Sequence, residues 1–91
     1  MCLAIPGQVV TLADEHFAVV DVAGVRRKVN VDLLQQESLA PGDWILIHVG
    51  FALSKISEEV ARQQMRMLAA LGEDQAAIEE VRGYGFHDEG P

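Results

Sequence analysis

Apolar and polar residues alternate through much of the first half of the chain, with the two-residue period of β-strands. Pro6 restricts the preceding Ile5 to an extended conformation, and a strand is predicted over Gln8–Leu12. After the polar turn Asp14-Glu15, the segment Phe17–Val22 is predicted to place three apolar residues on one face: Ala18, Val20 and Val22. The pattern therefore predicts neighbouring strands that each bury one face.

A third strand is predicted directly after the tight turn Ala23-Gly24. Val25–Val31 carries valines on one side and polar residues on the other, namely Arg26, Lys28 and Asn30. Arg27 interrupts the apolar side. This strand is therefore expected to be partly buried or to lie at an edge.

The middle of the chain predicts a turn followed by a strand that is covered on both faces. Asp32–Ala40 is compatible with a loop or with a short helical turn, whereas Pro41-Gly42-Asp43 is a strong turn signal. Trp44–Val49 is apolar at nearly every position, which is typical of a central strand. Gly50 directly behind it predicts a bulge or a close backbone approach.

The pattern changes to a helical period at Ser57, a suitable N-cap that is followed by two acidic residues. Apolar residues then recur at helical spacing before a glycine stop: Ala61, Met65, Leu68 and Leu71, followed by Gly72. A second short helix is predicted over Asp74–Arg82, ended by Gly83, with an apolar side formed by Ala77, Ile78 and Val81.

Short strands followed by helices predict a mainly β protein, a small OB-like β-barrel with a C-terminal helical segment, since barrel closure removes exposed strand edges. The barrel is predicted over residues 1–56, the helical segment over 57–83 and a flexible, frayed tail over 84–91. A chain of 91 residues is sufficient for one such domain and leaves little room for a second.

Charge, cysteine content and the lengths of the apolar runs each argue against a class of protein. The formal net charge of −7 repels phosphate backbones and anionic lipid, and the basic cluster Arg26–Lys28 is interpreted as a solvated strand face. One cysteine cannot form an internal disulfide. No apolar run approaches the ~20 residues that cross a bilayer. We therefore expect a cytoplasmic protein that binds neither nucleic acid nor membrane.

Cys2 is the residue with the clearest chemical potential. It follows the initiator Met1, whose removal is expected to make it the mature N-terminus, with a thiol and an α-amine on one carbon. A neighbouring positive charge favours the thiolate, a soft donor suited to low-spin iron, copper(I) or zinc. One cysteine cannot complete a coordination sphere, so further ligands would come from the cargo, a partner or His48. A small buried side chain without a chemical role is an equally good interpretation.

His48 is the second candidate. It shares a strand face with Trp44 and Leu46, and a histidine in so apolar a strand needs a hydrogen-bond partner or a functional task. The position is compatible both with a metal ligand and with a histidine that packs at the barrel rim. His16, beside the acidic turn, and His87, in the tail, are interpreted as surface residues.

Three segments form a recognisable set when they are taken together: Met1–Gly7, Val20–Arg27 and Gly42–Ala52. In this order and at this chain length they resemble the HypC/HupF family (HypC/HybG/HupF) of [NiFe]-hydrogenase maturation factors, over about residues 1–60. The resemblance implies the OB-like barrel with a C-terminal helix that the pattern already predicts. It also implies that Cys2 is an iron ligand, and that His48 is either a second ligand or a residue that orients the thiol.

The resemblance further implies a function. Proteins of this family bind a HypD-type iron–sulfur scaffold partner, hold an Fe(CN)₂(CO) fragment with it, and deliver the fragment to the [NiFe]-hydrogenase large-subunit precursor. It thus implies a metallochaperone rather than an enzyme, with partner contacts at Pro6, Gly50, Phe51 and Ala52. Iron that already carries cyanide and carbon monoxide needs few protein donors, and one mobile thiolate releases it more readily than a four-cysteine cage.

Two other functions stay open at this point. An N-terminal cysteine nucleophile hydrolase would need a base, an oxyanion site and a deep pocket, for which a chain of 91 residues with one plausible histidine offers little. An OB-type nucleic-acid-binding module would need a basic groove with aromatic stacking platforms. The net charge of −7 and the content of one Trp, one Tyr and three Phe argue against it.

Overall fold

The computed structural model describes residues 4–72 and 74–83, which form five strands followed by two helices. The strands are β1 (Ile5–Leu12), β2 (Phe17–Val22), β3 (Val25–Asn30), β4 (Trp44–His48) and β5 (Phe51–Ile56). The helices are α1 (Glu58–Ala70) and α2 (Asp74–Arg82), and a 3₁₀ turn, Asp32–Leu34, lies between β3 and β4. The loop that was compatible with a short helical turn therefore contains one.

The strands close into a barrel in the order β1-β2-β3-β5-β4, with β4 pairing back onto β1. All neighbours are antiparallel except β3 and β5, which meet in parallel at one residue pair, Asn30 and Phe51. The 3₁₀ turn packs against β5 and α2 packs against β3, so both strands have neighbours beyond this short ladder. The mainly β, OB-like barrel with C-terminal helices is confirmed.

Strand β1 begins at Ile5, ahead of the predicted start at Gln8. Pro6 lies inside the strand because the paired region with β2 starts only at Gln8, so its missing N–H interrupts no ladder on that side. On the other side Pro6 lies opposite Leu46 of β4. The proline therefore does not prevent β1 from joining two neighbours in succession.

The β2–β3 and β4–β5 hairpins have two-residue turns in which the central residues take positive φ, as type I′ turns require. Ala23 and Gly24 have φ of 51° and 89°, and Val49 and Gly50 have φ of 51° and 83°. The close backbone approach predicted at Gly50 is confirmed, since its carbonyl accepts a hydrogen bond from the Asn30 N–H at 2.9 Å. The alternative of a bulge at Gly50 is wrong, because the extra residue lies in β5, where pairing with β4 shifts between Leu46 and Ile47.

Strand β4 is buried on one face only, so the prediction that both faces are covered is wrong. Ile45 and Ile47 are fully buried, whereas Trp44, Leu46 and His48 are half-buried. A strand in a closed barrel turns one face to the shared core and the other outward, so the barrel itself seals only the first. Val49 lies beyond the strand, in the exposed turn.

The helices begin and end close to the predicted positions. The Ser57 hydroxyl accepts a hydrogen bond from the Val60 N–H at 3.1 Å and caps α1. Ala61 and Leu68 are buried as predicted, but Leu71 is exposed because α1 ends at Ala70. In α2 the predicted apolar residues Ala77 and Val81 are buried. The frayed tail predicted over 84–91 lies outside the described residues.

Candidate functional site

The start of β1 and the end of β4, which carries His48, lie side by side in the barrel. Ile5 lies opposite Ile47 in the antiparallel ladder, and His48 follows Ile47 as the last residue of β4. His48 is half-buried and lies opposite Phe51 of β5. The backbone therefore places the first residue of β1 and His48 at the same end of the β1–β4 pair.

Cys2, the predicted iron ligand, lies outside the described residues. Ala4 is the first described residue, and it is half-buried immediately before β1. The assignment of iron to Cys2 therefore stays a prediction. So does the role of His48.

The predicted partner-contact residues differ in how much surface they expose. Phe51 is 46% exposed, whereas Ala52, Pro6 and Gly50 are buried. Pro6 and Ala52 take part in the barrel packing, so in the free chain Phe51 is the member of this set that offers side-chain surface. Partner contact at these positions stays a prediction.

Sequence reasoning missed the exposed hydrophobic residues around Phe51. Val49 is 62% exposed and takes a left-handed φ, which is costly for a β-branched residue. Leu53 of β5 is 44% exposed, and Leu33 of the 3₁₀ turn is 64% exposed. The dipeptide Val49-Gly50 between two apolar runs could have predicted a hairpin turn. Nothing in the sequence pattern predicted that Leu33 is exposed.

A polar network ties the β1–β2 turn to the 3₁₀ turn. His16 Nδ1 lies 2.8 Å from an Asp32 carboxylate oxygen, and the Val31 N–H donates to the His16 carbonyl at 2.8 Å. Hydrogen bonding and charge from Asp32 raise the pKa of His16, and the hydrogen bond from His16 lowers the pKa of Asp32. His16, interpreted as a surface turn residue, is thus on the surface but holds two loops together.

Two arginines of the basic cluster on β3 make contacts with residues close to them in the chain. Arg26 lies 3.4 Å from the Asp21 carboxylate, and Arg27 donates from Nη1 to the Arg26 carbonyl at 2.7 Å. The buried Arg27 Nε has no hydrogen-bond partner in the part of the chain that the structure describes.

The described residues contain neither a cluster of metal-binding side chains nor a membrane-spanning helix. Residues 4–72 and 74–83 contain no group of three or more His, Cys, Asp and Glu side chains placed to hold a metal ion. No helix within these ranges is long and apolar enough to cross a bilayer.

Comparison with known proteins decides the family. Residues 1–68 match the model of the HupF/HypC family. The chain belongs to the HupF/HypC family. The match continues into α1, further than the resemblance over about residues 1–60 had indicated, and the membership predicted from the three sequence segments is confirmed.

Several relatives in the comparison are named hydrogenase maturation factors. The chain is 52% identical to the hydrogenase maturation factor HypC of Helicobacter hepaticus, over 74% of this chain and 77% of the relative. It is 43% identical to HypC of Azotobacter chroococcum, over 91% and 96% of the two chains. It is 37% identical to the hydrogenase maturation factor HybG of Escherichia coli, over 81% and 95%.

Proposed function

We infer that this chain is a hydrogenase maturation chaperone that carries an iron fragment. The observation that carries the inference is membership of the HupF/HypC family, with relatives named hydrogenase maturation factors that align over most of their length. In the proposed reaction the chain and a HypD-type scaffold protein hold an Fe(CN)₂(CO) fragment between them. The chain then delivers the fragment to the [NiFe]-hydrogenase large-subunit precursor.

The chemistry of the cargo supports Cys2 as the protein donor. Cyanide and carbon monoxide are strong-field ligands that already occupy part of the iron coordination sphere, so the carrier needs to supply few donors. A thiolate is a soft ligand that suits such iron, and Cys2 is the only cysteine of the chain. A single protein–iron bond can be exchanged for a bond to the receiving protein without dismantling a folded metal cage.

Covalent geometry supports a joint role for Cys2 and His48. Consecutive Cα atoms are about 3.8 Å apart, so the Cα of Cys2 lies within about 11 Å of the Cα of Ile5. Ile5 is opposite Ile47, whose neighbour is His48. This bound permits the sulfur and the His48 ring to approach the same iron atom. His48 either binds the iron itself or orients the thiolate.

The test is the infrared spectrum of the chain purified together with the scaffold protein. Wild-type complex is expected to show cyanide and carbonyl stretching bands, together with iron beyond that of the scaffold's own cluster. Cys2→Ala is expected to retain the thermal stability of the wild type and to lose these bands. Full bands in the Cys2→Ala complex would remove Cys2 from the mechanism.

A histidine pair tests the second position in the same complex. His48→Gln is expected to shift or weaken the bands, because the electron density on iron changes when a ligand or its orientation changes. His16→Gln is the matched control, since His16 is paired with Asp32 in another loop. Bands of the same position and intensity in wild type and His48→Gln would show that His48 has no influence on the iron.

The two alternative functions have tests of their own. Turnover of a glutamine-type amide by the isolated chain, abolished in Cys2→Ala, would indicate an N-terminal nucleophile hydrolase. Salt-sensitive binding of single-stranded oligonucleotides would indicate a nucleic-acid-binding module.

A further inference from the structure

Four exposed hydrophobic residues lie on adjoining elements at the β4–β5 hairpin and the 3₁₀ turn. They are Leu33, Val49, Phe51 and Leu53, with exposed fractions of 64%, 62%, 46% and 44%. The elements adjoin because the 3₁₀ turn packs against β5. In addition, Asn30, two residues before the turn, pairs with Phe51 and donates to the Gly50 carbonyl. We call these four residues the hairpin face.

The backbone contributes to this exposure at two positions. Val49 projects from a turn in which it takes φ of 51°, a conformation that asparagine or glycine adopts more readily. Leu53 lies where the β4–β5 ladder shifts register, so it is not opposite a β4 residue. Strained turns and bulges persist where they serve recognition, and clustered exposed hydrophobic residues indicate an interaction surface.

The charged residues beside the hairpin face give it a negative rim. Asp32 begins the 3₁₀ turn, and Gln35 Nε2 donates to the Glu15 carbonyl at 2.8 Å, which holds the acidic β1–β2 turn alongside. Two of the nearby cations lie in ion pairs: His16 with Asp32 at 2.8 Å, and Lys55 with Asp43 at 3.4 Å. A partner that complements this rim must be positively charged.

An open cleft beside Leu33 suits a lysine or arginine side chain. Its volume is about 520 Å³, and its lining is Asp32, Leu33, Gln35, Gln36 and Glu37. The aliphatic stem of a basic side chain packs well on a leucine while its head reaches a carboxylate. The cleft thus adds a specific position for a cation to a surface that is otherwise apolar.

We propose that the hairpin face docks the iron–sulfur scaffold protein, through a segment of that protein that combines apolar side chains with lysine or arginine. The assignment rests on the proposed function, because it names the surface by which that partner is held. The hairpin face borders His48, since Val49 follows it and Phe51 lies opposite it in the ladder. A partner seated there is beside the end of β4 where the shared iron is proposed to lie.

The experiment compares two exposed leucines in binding to the purified scaffold protein. Leu33 and Leu71 are 64% and 66% exposed, and Leu71 lies just beyond α1 and is not one of the four residues of the hairpin face. Leu33→Ser is expected to raise the dissociation constant about tenfold or more, because it removes apolar surface that binding would bury, while Leu71→Ser leaves the constant unchanged. Raising salt from about 50 to about 300 mM is expected to weaken wild-type binding through screening. Melting temperatures confirm that both variants fold.

The outcomes separate this assignment from the proposed function. If the wild type binds and Leu33→Ser binds equally well, the docking surface is overturned while the proposed function stands. Loss of binding in Leu71→Ser, alone or to the same extent as in Leu33→Ser, also overturns the docking surface. A wild-type chain that does not bind the scaffold at all contradicts the proposed function, and the docking assignment falls with it.

Discussion

Val49 has the most costly backbone conformation of the candidate site. A left-handed conformation costs a non-glycine residue about 1–2 kcal/mol, and the branched side chain of valine adds crowding. Ala23 takes the same φ of 51° in the other two-residue hairpin turn. The two turns therefore have the same geometry, while only Val49 presents a large apolar side chain to solvent.

Replacing Val49 with asparagine tests whether stability is given up for recognition. Val49→Asn is expected to raise the free energy of unfolding by about 1 kcal/mol, because asparagine accepts the left-handed conformation at lower cost. The same variant is expected to bind the scaffold protein more weakly, since it removes part of the hairpin face. Urea denaturation and a binding titration measure the two effects.

The control for Val49→Asn is Ala23→Asn, in the equivalent position of the β2–β3 turn. It is expected to be neutral or stabilising and to leave scaffold binding unchanged. A loss of stability in Val49→Asn would show that the valine is held by packing rather than strained by the turn.

Gly7 lies where the neighbouring side chains leave no room for a Cβ. A Cβ at this position would lie 2.5 Å from Val20 Cγ1 and 2.8 Å from Ile47 Cδ1. Both neighbours are core residues that cannot move freely, so Gly7→Ala is expected to cost about 1–3 kcal/mol of stability through overpacking. Chemical denaturation measures the loss.

Gly83→Ala is the matched control for Gly7→Ala. The nearest heavy atom to a Cβ at Gly83 lies 3.5 Å away, so this change is expected to be close to neutral. Equal stability of Gly7→Ala and the wild type would contradict the tight packing around β1.

At this scale the sequence predicts residues whose role is local and misses those whose role depends on distant neighbours. Ser57 was recognisable as an N-cap because the cap bond is made to Val60, three residues away. Gly7 gave no such signal, because the atoms that exclude a side chain there come from β2 and β4. Exposure at Leu33 also depends on the closed barrel, which the local pattern does not contain.

At the scale of elements, the β1–β2 turn and the 3₁₀ turn are held together by the His16–Asp32 pair. The pKa of His16 is raised above its usual 6.5, chiefly by the hydrogen bond with Asp32, and acidic residues in its own turn, Glu15 and Asp14, add to the effect. The pKa of Asp32 is lowered below its usual 3.8, chiefly by the hydrogen bond with His16. Both groups are exposed, so the effect on stability is modest.

The pair has a defined pH window. The His16 contribution is fully present below pH 6.5 and is lost as pH rises through its raised pKa. The Asp32 contribution is present above pH 3.8 and is lost as pH falls through its lowered pKa. The two loops are therefore held most firmly between these two values.

His16→Gln is expected to lower the melting temperature more at about pH 5.5 than at about pH 8.5, because the His16 contribution is lost as pH rises through its raised pKa. The control makes His16→Gln in the Asp32→Asn variant. There the loss of melting temperature caused by His16→Gln should no longer depend on pH. A loss of melting temperature in His16→Gln that grows as pH rises would contradict the ion pair.

Element prediction succeeded where periodicity and end signals agreed. The bounds of α2, Asp74–Arg82, match the predicted ones, because the apolar spacing and Gly83 indicate the same helix. For β4 the run Trp44–Val49 predicted a strand covered on both faces, whereas only the face with Ile45 and Ile47 is sealed. An apolar run alone does not show which of its side chains face a barrel interior.

At the scale of the whole molecule, the barrel and the helices share one hydrophobic core. Leu68 of α1 and Val81 of α2 belong to the same cluster of buried side chains as Ile5 and Ile47 of the barrel. Because these residues pack as one unit, we expect barrel and helices to unfold in a single transition.

Val81→Ala tests this coupling. Val81 is 1% exposed, and removing two buried methyl groups is expected to cost about 2 kcal/mol. Far-ultraviolet circular dichroism, which follows the helices, and Trp44 fluorescence, which follows the barrel, should show the same lowered midpoint. Val60→Ala, at a position that is 38% exposed, is the control with a smaller expected effect. Separate midpoints for the two signals would contradict a shared core.

The family was predictable from sequence because its segments are contiguous stretches with characteristic order and spacing, and the match over residues 1–68 bears this out. The sequence proposed two residues for the candidate site, and their roles stay predictions. His48 was singled out by its apolar strand, and Cys2 by its place beside Met1. The hairpin face was not, because it combines Leu33 with β5, elements that only the closed barrel brings together.

The most direct test of the chaperone role measures iron in the purified large-subunit precursor after it is mixed with the loaded complex of this chain and its scaffold. The precursor is expected to gain iron, with its cyanide and carbonyl bands, as the complex loses them. A precursor that stays free of iron, or that gains it equally from scaffold lacking this chain, would contradict the role as carrier.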